Sequence, residues 1–291
     1  METDEVKNNQ VQAQVESKDT LINALKQDFA TTVNSIYVNS LKKEVGFREI
    51  TVLEQKTLSR IMIDNDAKNR KDIVYDAQCA LINKASLDPT FDIYQLAEFD
   101  RLKLLIALYQ ANMFKNDIRF TCEECGAENI FKLDFGVVLG RLDDIDLEPK
   151  QFEYQNKTWK YNFVTRYPSV KQVLQFHKGN VAKYRGVKKQ QAKNIDNMSN
   201  MDYVNLFIES LTMQNKSTQA SRTIKLSDYP ASEIEDIVAV FPQDVLYSDN
   251  GVLKFIVNEY IKKINDSFEE HKCYNCGAKY QNDINSATSF L

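Results

Sequence analysis

Glycine and proline are scarce in this sequence, 8 and 5 among 291 residues. Both interrupt helices, so their scarcity between long apolar-periodic stretches predicts a helix-rich chain. Histidine occurs only at His177 and His271. That leaves little material for Ser-His-Asp or Cys-His catalysis, and neither residue lies in a nucleophile motif. P-loop, GxGxxG and HExxH patterns are missing as well. Carboxylate pairs recur by chance in any chain with 41 acids, so none marks an active site. The expectation is a non-enzyme without a small-molecule substrate. No window approaches the roughly 18 uninterrupted apolar residues of a membrane helix, which speaks against a spanning segment. The opening METDEVKNNQVQAQVESKD has neither a basic start nor an apolar stretch, so it does not read as a secretory signal. Positive charge is not in surplus either. A net charge of −4 and a pI near 5.5 give no overall attraction to phosphate backbones or anionic membranes.

What is present suits a soluble globular protein, 43% apolar and 27% charged, long enough to bury a sizeable core. The expected architecture is α+β, a mostly helical body with a small zinc-ribbon-like β module. Residues 1–18 are polar and without period, an arm expected to be disordered or to order on a partner. Residues 19–116 are expected to form a helical domain. Within it Ile22, Leu25, Phe29, Val33 and Ile36 predict an amphipathic helix over 21–41. Thr51 and Glu54 form a capping box, Ile73, Ala77, Ala80 and Leu81 mark the inward face of a helix over 72–83, and Cys79 reads as a small buried apolar residue. Asp92 and Gln95 form a second box ahead of the stripe Leu102, Leu105, Ile106, Tyr109 and Met113.

Residues 117–165 change character. Ile118–Phe120 and Ile130–Phe135 alternate as short strands around a cysteine pair. A two-residue turn at Asn156-Lys157 would make a hairpin pairing Tyr154 with Trp159 and Phe152 with Tyr161. Between them Asp143, Asp144, Asp146 and Glu148 lack the order of a calcium loop and read as a solvated loop. Residues 166–270 are expected to be a helical insertion, with helices over 169–177, 200–213, 231–247 and 251–268, the last with Leu253, Ile256, Val257, Tyr260 and Ile264 inward. A strand over 222–226 interrupts them, and a basic linker near 178–193 carries Lys178, Lys183, Arg185, Lys188, Lys189 and Lys193. Residues 271–291 hold a second cysteine pair and a tail expected to return to the β module.

The two pairs share one frame: Cys122-Glu-Glu-Cys125-Gly-Ala and Cys273-Tyr-Asn-Cys276-Gly-Ala. In such a knuckle two intervening residues let both thiolates turn onto one ion, and Gly126 or Gly277 supplies the positive φ that brings the backbone close to sulfur. Cys122, Cys125, Cys273 and Cys276 together make a four-thiolate set expected to hold structural Zn2+ with no coordination position left for water. The competing reading is redox chemistry, but a redox pair belongs at a helix N-terminus, and Cys122 follows a strand-like segment. The gap between the pairs far exceeds the roughly 12 to 20 residues of familiar fingers, so an ion would close a long loop. His271, just before Cys273, is either a substitute ligand or a neighbour of the site.

Phe47-Arg-Glu-Ile-Thr-Val-Leu-Glu-Gln-Lys56, Phe99-Asp-Arg-Leu-Lys-Leu-Leu105, Phe120-Thr-Cys-Glu-Glu-Cys-Gly126, and Cys273-Tyr-Asn-Cys-Gly with Ser289-Phe-Leu291 at the end are arranged as in a known family. In this order they resemble the T4-type bacteriophage baseplate proteins, the hub-associated or hub-assembly family of contractile tails, over about 45–291. The first 45 residues have no recognised counterpart. The resemblance implies a virion or assembly component, put together in the host cytoplasm, that works by contacts with other baseplate or tail proteins. The alternative is a zinc-ribbon nucleic-acid-binding factor, which requires Lys183–Lys193, Trp159 and Tyr161 to share an exposed face.

Overall fold

The computed structural model describes residues 33–66, 70–111, 117–132, 134–183, 204–268 and 270–281. Residues 1–18, the 21–32 part of the expected first helix, Met113, the 184–193 part of the basic run, residues 200–203 of the expected 200–213 helix and the 282–291 part of the tail lie outside them. The described fold mixes helix and strand, compatible with α+β.

Residues 33–38 are not helical. β1 (Val33–Val38) pairs antiparallel with β2 (Lys43–Arg48) through a 3₁₀ turn closed by Lys42 at φ 50. Ile36 and Val38, two apart, share one buried face as a strand requires, and the β-branched residues of this stretch favour one. Ile36, Val38, Val45 and Phe47 are buried.

α1 (Val52–Asp66) begins at the expected capping box. The Thr51 amide donates to Glu54 Oε2 at 3.0 Å, and the Glu54 amide to Thr51 Oγ1 at 3.3 Å. Glu54 also binds Arg48 at 2.7 Å and Lys84 at 2.9 Å. Burial opposes its charge, but these bonds win and hold the carboxyl far below the usual range. α2 (Lys71–Ala85) forms as expected on a rotated face: Tyr75, Gln78, Cys79, Leu81, Ile82 and Ala85 are buried, while Ile73 is half-buried and Ala80 exposed. Tyr75 and Ile82 remove more apolar surface from water than the alanines would, and this sets the face.

The second capping residue acts on a shorter element. Asp92 Oδ1 accepts from the Tyr94 amide at 3.1 Å over a 3₁₀ turn, and α3 (Glu98–Ala111) starts after it. Phe99, Leu104, Leu105, Ile106 and Leu108 are buried and Leu102 half-buried, so α3 is covered on several sides rather than along one stripe. Its polar residues are paired accordingly. Arg101 bonds Glu98 at 2.6 Å and Gln78 at 2.8 Å, and Tyr75 donates to Glu98. Asp100 accepts the Asn39 amide at 2.8 Å, while buried Lys103 reaches Tyr37 O at 2.7 Å, Asn39 Oδ1 at 2.6 Å and the Asp143 carboxylate.

β3 (Asp117–Thr121) and β4 (Glu128–Lys132) form the hairpin around the first cysteine pair. The expected strand to Phe135 stops at Lys132. Asp134 accepts from the Val137 amide at 3.1 Å and starts α4 (Phe135–Asp143), whose Phe135, Val138 and Leu142 are buried at helical spacing. The acidic run is more engaged than a free loop: Asp143 pairs with Lys103, Asp146 with Lys150 at 2.5 Å, and Glu148 with Lys42 at 2.7 Å.

β5 (Lys150–Gln155) and β6 (Trp159–Thr165) form the expected hairpin two residues out of register, pairing Tyr154 with Tyr161 and Phe152 with Phe163. Asn156 Oδ1 accepts from the Thr158 and Trp159 amides at 3.0 and 2.8 Å, which moves the turn onto Lys157-Thr158. A shift of two keeps every side chain on its face. β7 (Ile208–Asn215) and β8 (Ser221–Lys225) complete an antiparallel sheet ordered β5-β6-β7-β8. β7 replaces the 208–213 part of the expected 200–213 helix, because Leu211 and Met213 fit opposite Phe163 and Tyr161 as strand partners.

α5 (Val170–Lys183) covers the expected 169–177 helix and extends through Lys178 and Lys183. It starts at a Ser169–Gln172 capping box, a local sequence signal, with bonds of 2.9 and 3.3 Å. The expected 231–247 helix splits into α6 (Ala231–Ala239) and α7 (Gln243–Tyr247) at Pro242, which cannot continue a helix. The final helix is α8 (Val252–Ile256), a π turn (Val257–Ile261) and α9 (Lys262–Asn265) end to end. The wider turn leaves Val257 40% exposed while Tyr260 and Ile264 stay buried. The Tyr260 hydroxyl donates to Thr165 O at 2.7 Å beside the irregularity in β6. β9 (Glu270–Lys272) and β10 (Lys279–Gln281) then make the hairpin around the second cysteine pair.

Candidate metal centre

The two knuckles are built alike. In the first, the Gly126 amide donates to Cys122 O at 2.8 Å and the Cys122 amide to Ala127 O at 2.9 Å. In the second, the matching Gly277 to Cys273 and Cys273 to Ala278 bonds are 2.9 and 2.8 Å. Gly126 and Gly277 have φ +70 and +74, the positive values expected of them. Each loop joins equivalent strand ends, Thr121 paired with Glu128 and Lys272 with Lys279.

The fold brings these distant loops face to face. One ligand atom from each of Cys122, Cys125, Cys273 and Cys276 lies within 4.8 Å of all the others. The Cys122–Cys276 sulfurs are 3.6 Å apart and the Cys125–Cys273 sulfurs 3.7 Å. A tetrahedral zinc ion with bonds of about 2.3 Å holds its sulfurs about 3.8 Å apart, so the spacing fits a four-thiolate site. Cys122 and Cys273 are buried, whereas Cys125 and Cys276 face solvent. The cluster could hold a metal ion.

Neighbouring groups tune the sulfurs. The Tyr280 hydroxyl, donating to Cys122, lowers that thiol's pKa. Burial opposes ionisation of Cys273, but the Cys276 and Asn275 amides and the Asn129 side chain bring it down to about 6. At Cys276 the Ala278 amide favours the thiolate, yet burial and the three neighbouring sulfurs push it up to about 12. Ion binding would therefore displace protons.

His271 is not among the clustered ligands. Its ring stacks on Phe131 of the other hairpin at 3.9 Å. Cys79, the fifth cysteine, is fully buried on α2, as expected for a small apolar residue. His177 packs against Tyr75 at 5.2 Å, and burial beside Arg101 lowers its pKa to about 4. Neither cysteine pair begins a helix; both sit in hairpin loops, which removes the setting of a redox pair.

A cavity of about 500 Å³ opens where Tyr37, Lys42, Asp144, Glu148, Arg166 and Tyr167 meet, and contains no histidine or cysteine. Of the two aromatics expected on a nucleic-acid face, Tyr161 is buried and Trp159 half-buried. No helix among the described residues is long and apolar enough to cross a membrane.

The family model described as T4 bacteriophage base plate protein matches residues 30–291, reaching further toward the N-terminus than the motifs at 45–291 and taking in the β1-β2 hairpin. No curated protein and no solved structure matches the chain.

Proposed function

The chain belongs to the T4 bacteriophage base plate protein family, and from that premise we propose that it is a structural or assembly component of a contractile-tail baseplate, with zinc on Cys122, Cys125, Cys273 and Cys276. The family match over residues 30–291 carries this reading. It implies other tail proteins as partners and the virion tail as the location. The protein acts without turnover, by presenting surfaces, and the ion holds the C-terminal hairpin against the one that follows α3.

The chain's own residues do this work. Four sulfurs converge from two hairpins, the glycines allow the backbone to approach them, and Phe131 stacks on His271 across the join. Zinc, when bound, supplies a closed tetrahedral link without redox chemistry. Arg141 donates to Ser267 O at 3.2 Å, bracing α4 against the approach to β9. Two contact surfaces are proposed for neighbouring subunits. One is the N-terminal arm with the segment after it. The other is α1, where Val52, Leu53 and Ile63 are 66%, 74% and 73% exposed; Val52 and Ile63 lie three turns apart along one line.

The test is co-purification and cross-linking in infected cells, with elemental analysis of the purified chain. Recovery with tail proteins and one zinc per chain is expected. Recovery with nucleic acid in a salt-dependent manner, and without tail proteins, would sink the baseplate reading.

A further inference from the structure

The repeated frame extends two residues beyond its obvious end. Counting from the first cysteine, the eighth position is Asn129 in one copy and Tyr280 in the other, each the second residue of its strand, β4 or β10. Both side chains reach across to the opposite knuckle. Asn129 Nδ2 donates to Cys273 Sγ at 3.5 Å, and the Tyr280 hydroxyl donates to Cys122 Sγ at 2.7 Å. The sulfurs they choose are equivalent, the first and buried cysteine of the opposite copy. Asn129 is itself only 4% exposed and fully engaged: Nδ2 also bonds Ala127 O at 2.9 Å, and Oδ1 accepts the Tyr274 amide at 3.0 Å.

Resting on the zinc reading above, we propose that Asn129 and Tyr280 are reciprocal positioning residues of the metal centre, each orienting and polarising a thiolate supplied by the other half. Four thiolates on one divalent ion concentrate negative charge. A side-chain donor on each buried sulfur offsets that charge, while Cys125 and Cys276 are exposed and Cys276 takes a backbone donor, the Ala278 amide. Because each donor is fixed to one hairpin and its acceptor to the other, the bonds also set the approach of the halves. Asn129, holding both the Cys273 sulfur and the Tyr274 amide, fixes the second knuckle at two points. A sequence search for ligands passes over this pair because asparagine and tyrosine are not metal ligands, and the two differ in chemistry although they share a position.

The test uses the full chain with Zn2+ and Co2+, titrated in competition with a chromogenic chelator, for the native protein, Asn129→Ala, Tyr280→Phe and His271→Ala. Tyr280→Phe removes one hydroxyl and keeps the ring. His271→Ala removes a ring contact between the hairpins without touching a sulfur. Asn129→Ala and Tyr280→Phe are expected to bind one ion per chain with 10- to 100-fold weaker affinity and a shifted sulfur-to-cobalt charge-transfer band. His271→Ala is expected to leave the band in place and weaken binding less. Native affinity and an unshifted band in both donor variants would overturn the proposal and leave the zinc reading standing. Equal weakening in all three with no band shift would overturn it too, reducing the contacts to packing. A native chain that binds neither metal would overturn both readings.

Discussion

Cys79 and Cys273 are both buried, but their surroundings treat the thiol in opposite ways. Burial first, opposed by the Arg101 cation and aided by the carboxylates of Glu98, Asp76 and Asp92, pushes the Cys79 thiol up to about 12. Cys273 is buried too, yet amide and side-chain donors bring it down to about 6. Cys273→Ser is therefore expected to lose bound metal and to unfold at lower denaturant concentration. Cys79→Ser should keep its metal and cost about 1–2 kcal/mol for a hydroxyl placed in an apolar site. Metal analysis and denaturation of both variants check the pair, and equal zinc loss in the two would contradict the assignment. His177 makes a second prediction at this scale. Packed in burial beside Arg101, with Lys71 and Asp72 also near, its ring has a pKa near 4 against an ordinary 6.5. The unfolded chain then binds that proton more tightly than the folded one. The ring contributes nothing to the pH dependence above about 6.5, and stability falls as pH drops from there toward 4, by no more than about 3 kcal/mol. Urea melts of the native protein and His177→Gln across this range should converge at low pH if the ring is the source.

The elements owe their ends to short-range bonds that variants can remove one at a time. Thr51→Ala takes the cap from α1 and is expected to cost about 1 kcal/mol, read from thermal or denaturant unfolding. Gly277→Ala makes a cleaner test of the knuckle. A Cβ there would meet nothing within 4 Å, so any loss comes from the backbone at φ +74 and not from a clash. A loss of about 1–2 kcal/mol together with weaker metal binding is expected; unchanged binding would show that the second knuckle tolerates another turn geometry. These ends were the readable part of the chain, because a cap or a turn depends on residues a few positions apart. Val33–Val38 and Ile208–Asn215 were misread for the opposite reason. The spacing of Val33 and Ile36 suits a helix and that of Phe207 and Leu211 suits helix and strand alike, whereas the choice was made by distant partners, β2 for one and β6 for the other. Pro242 and the π turn show the same limit at smaller range: a run of apolar period continued in sequence where the backbone did not.

At the scale of the molecule, the four-cysteine cluster joins the end of the described chain to its middle. In the unfolded state bringing the two knuckles together costs loop entropy, and an ion that binds only the folded arrangement stabilises it. Chelation is expected to lower the unfolding midpoint and to raise hydrogen exchange first in β9 and β10. Exchange in β5 to β8 should change later, because Tyr161, Phe163 and Leu211 of that sheet sit in the main apolar core, to which no described residue of β9 or β10 contributes. Uniform loss of protection would mean that the two hairpins and the core unfold as one unit. The local chemistry of the centre was written in the sequence, since a repeated C-x-x-C-G-A frame builds the same knuckle wherever it stands. Scarce glycine and proline likewise announced the helices, and a family of motifs in order announced the baseplate. Tertiary structure alone decided that the two frames meet, that Asn129 and Tyr280 cross to the opposite sulfurs, and which ambiguous runs became strands. Each depends on residues far apart in the chain coming within bonding distance, and no local period encodes which distant partner a group will find.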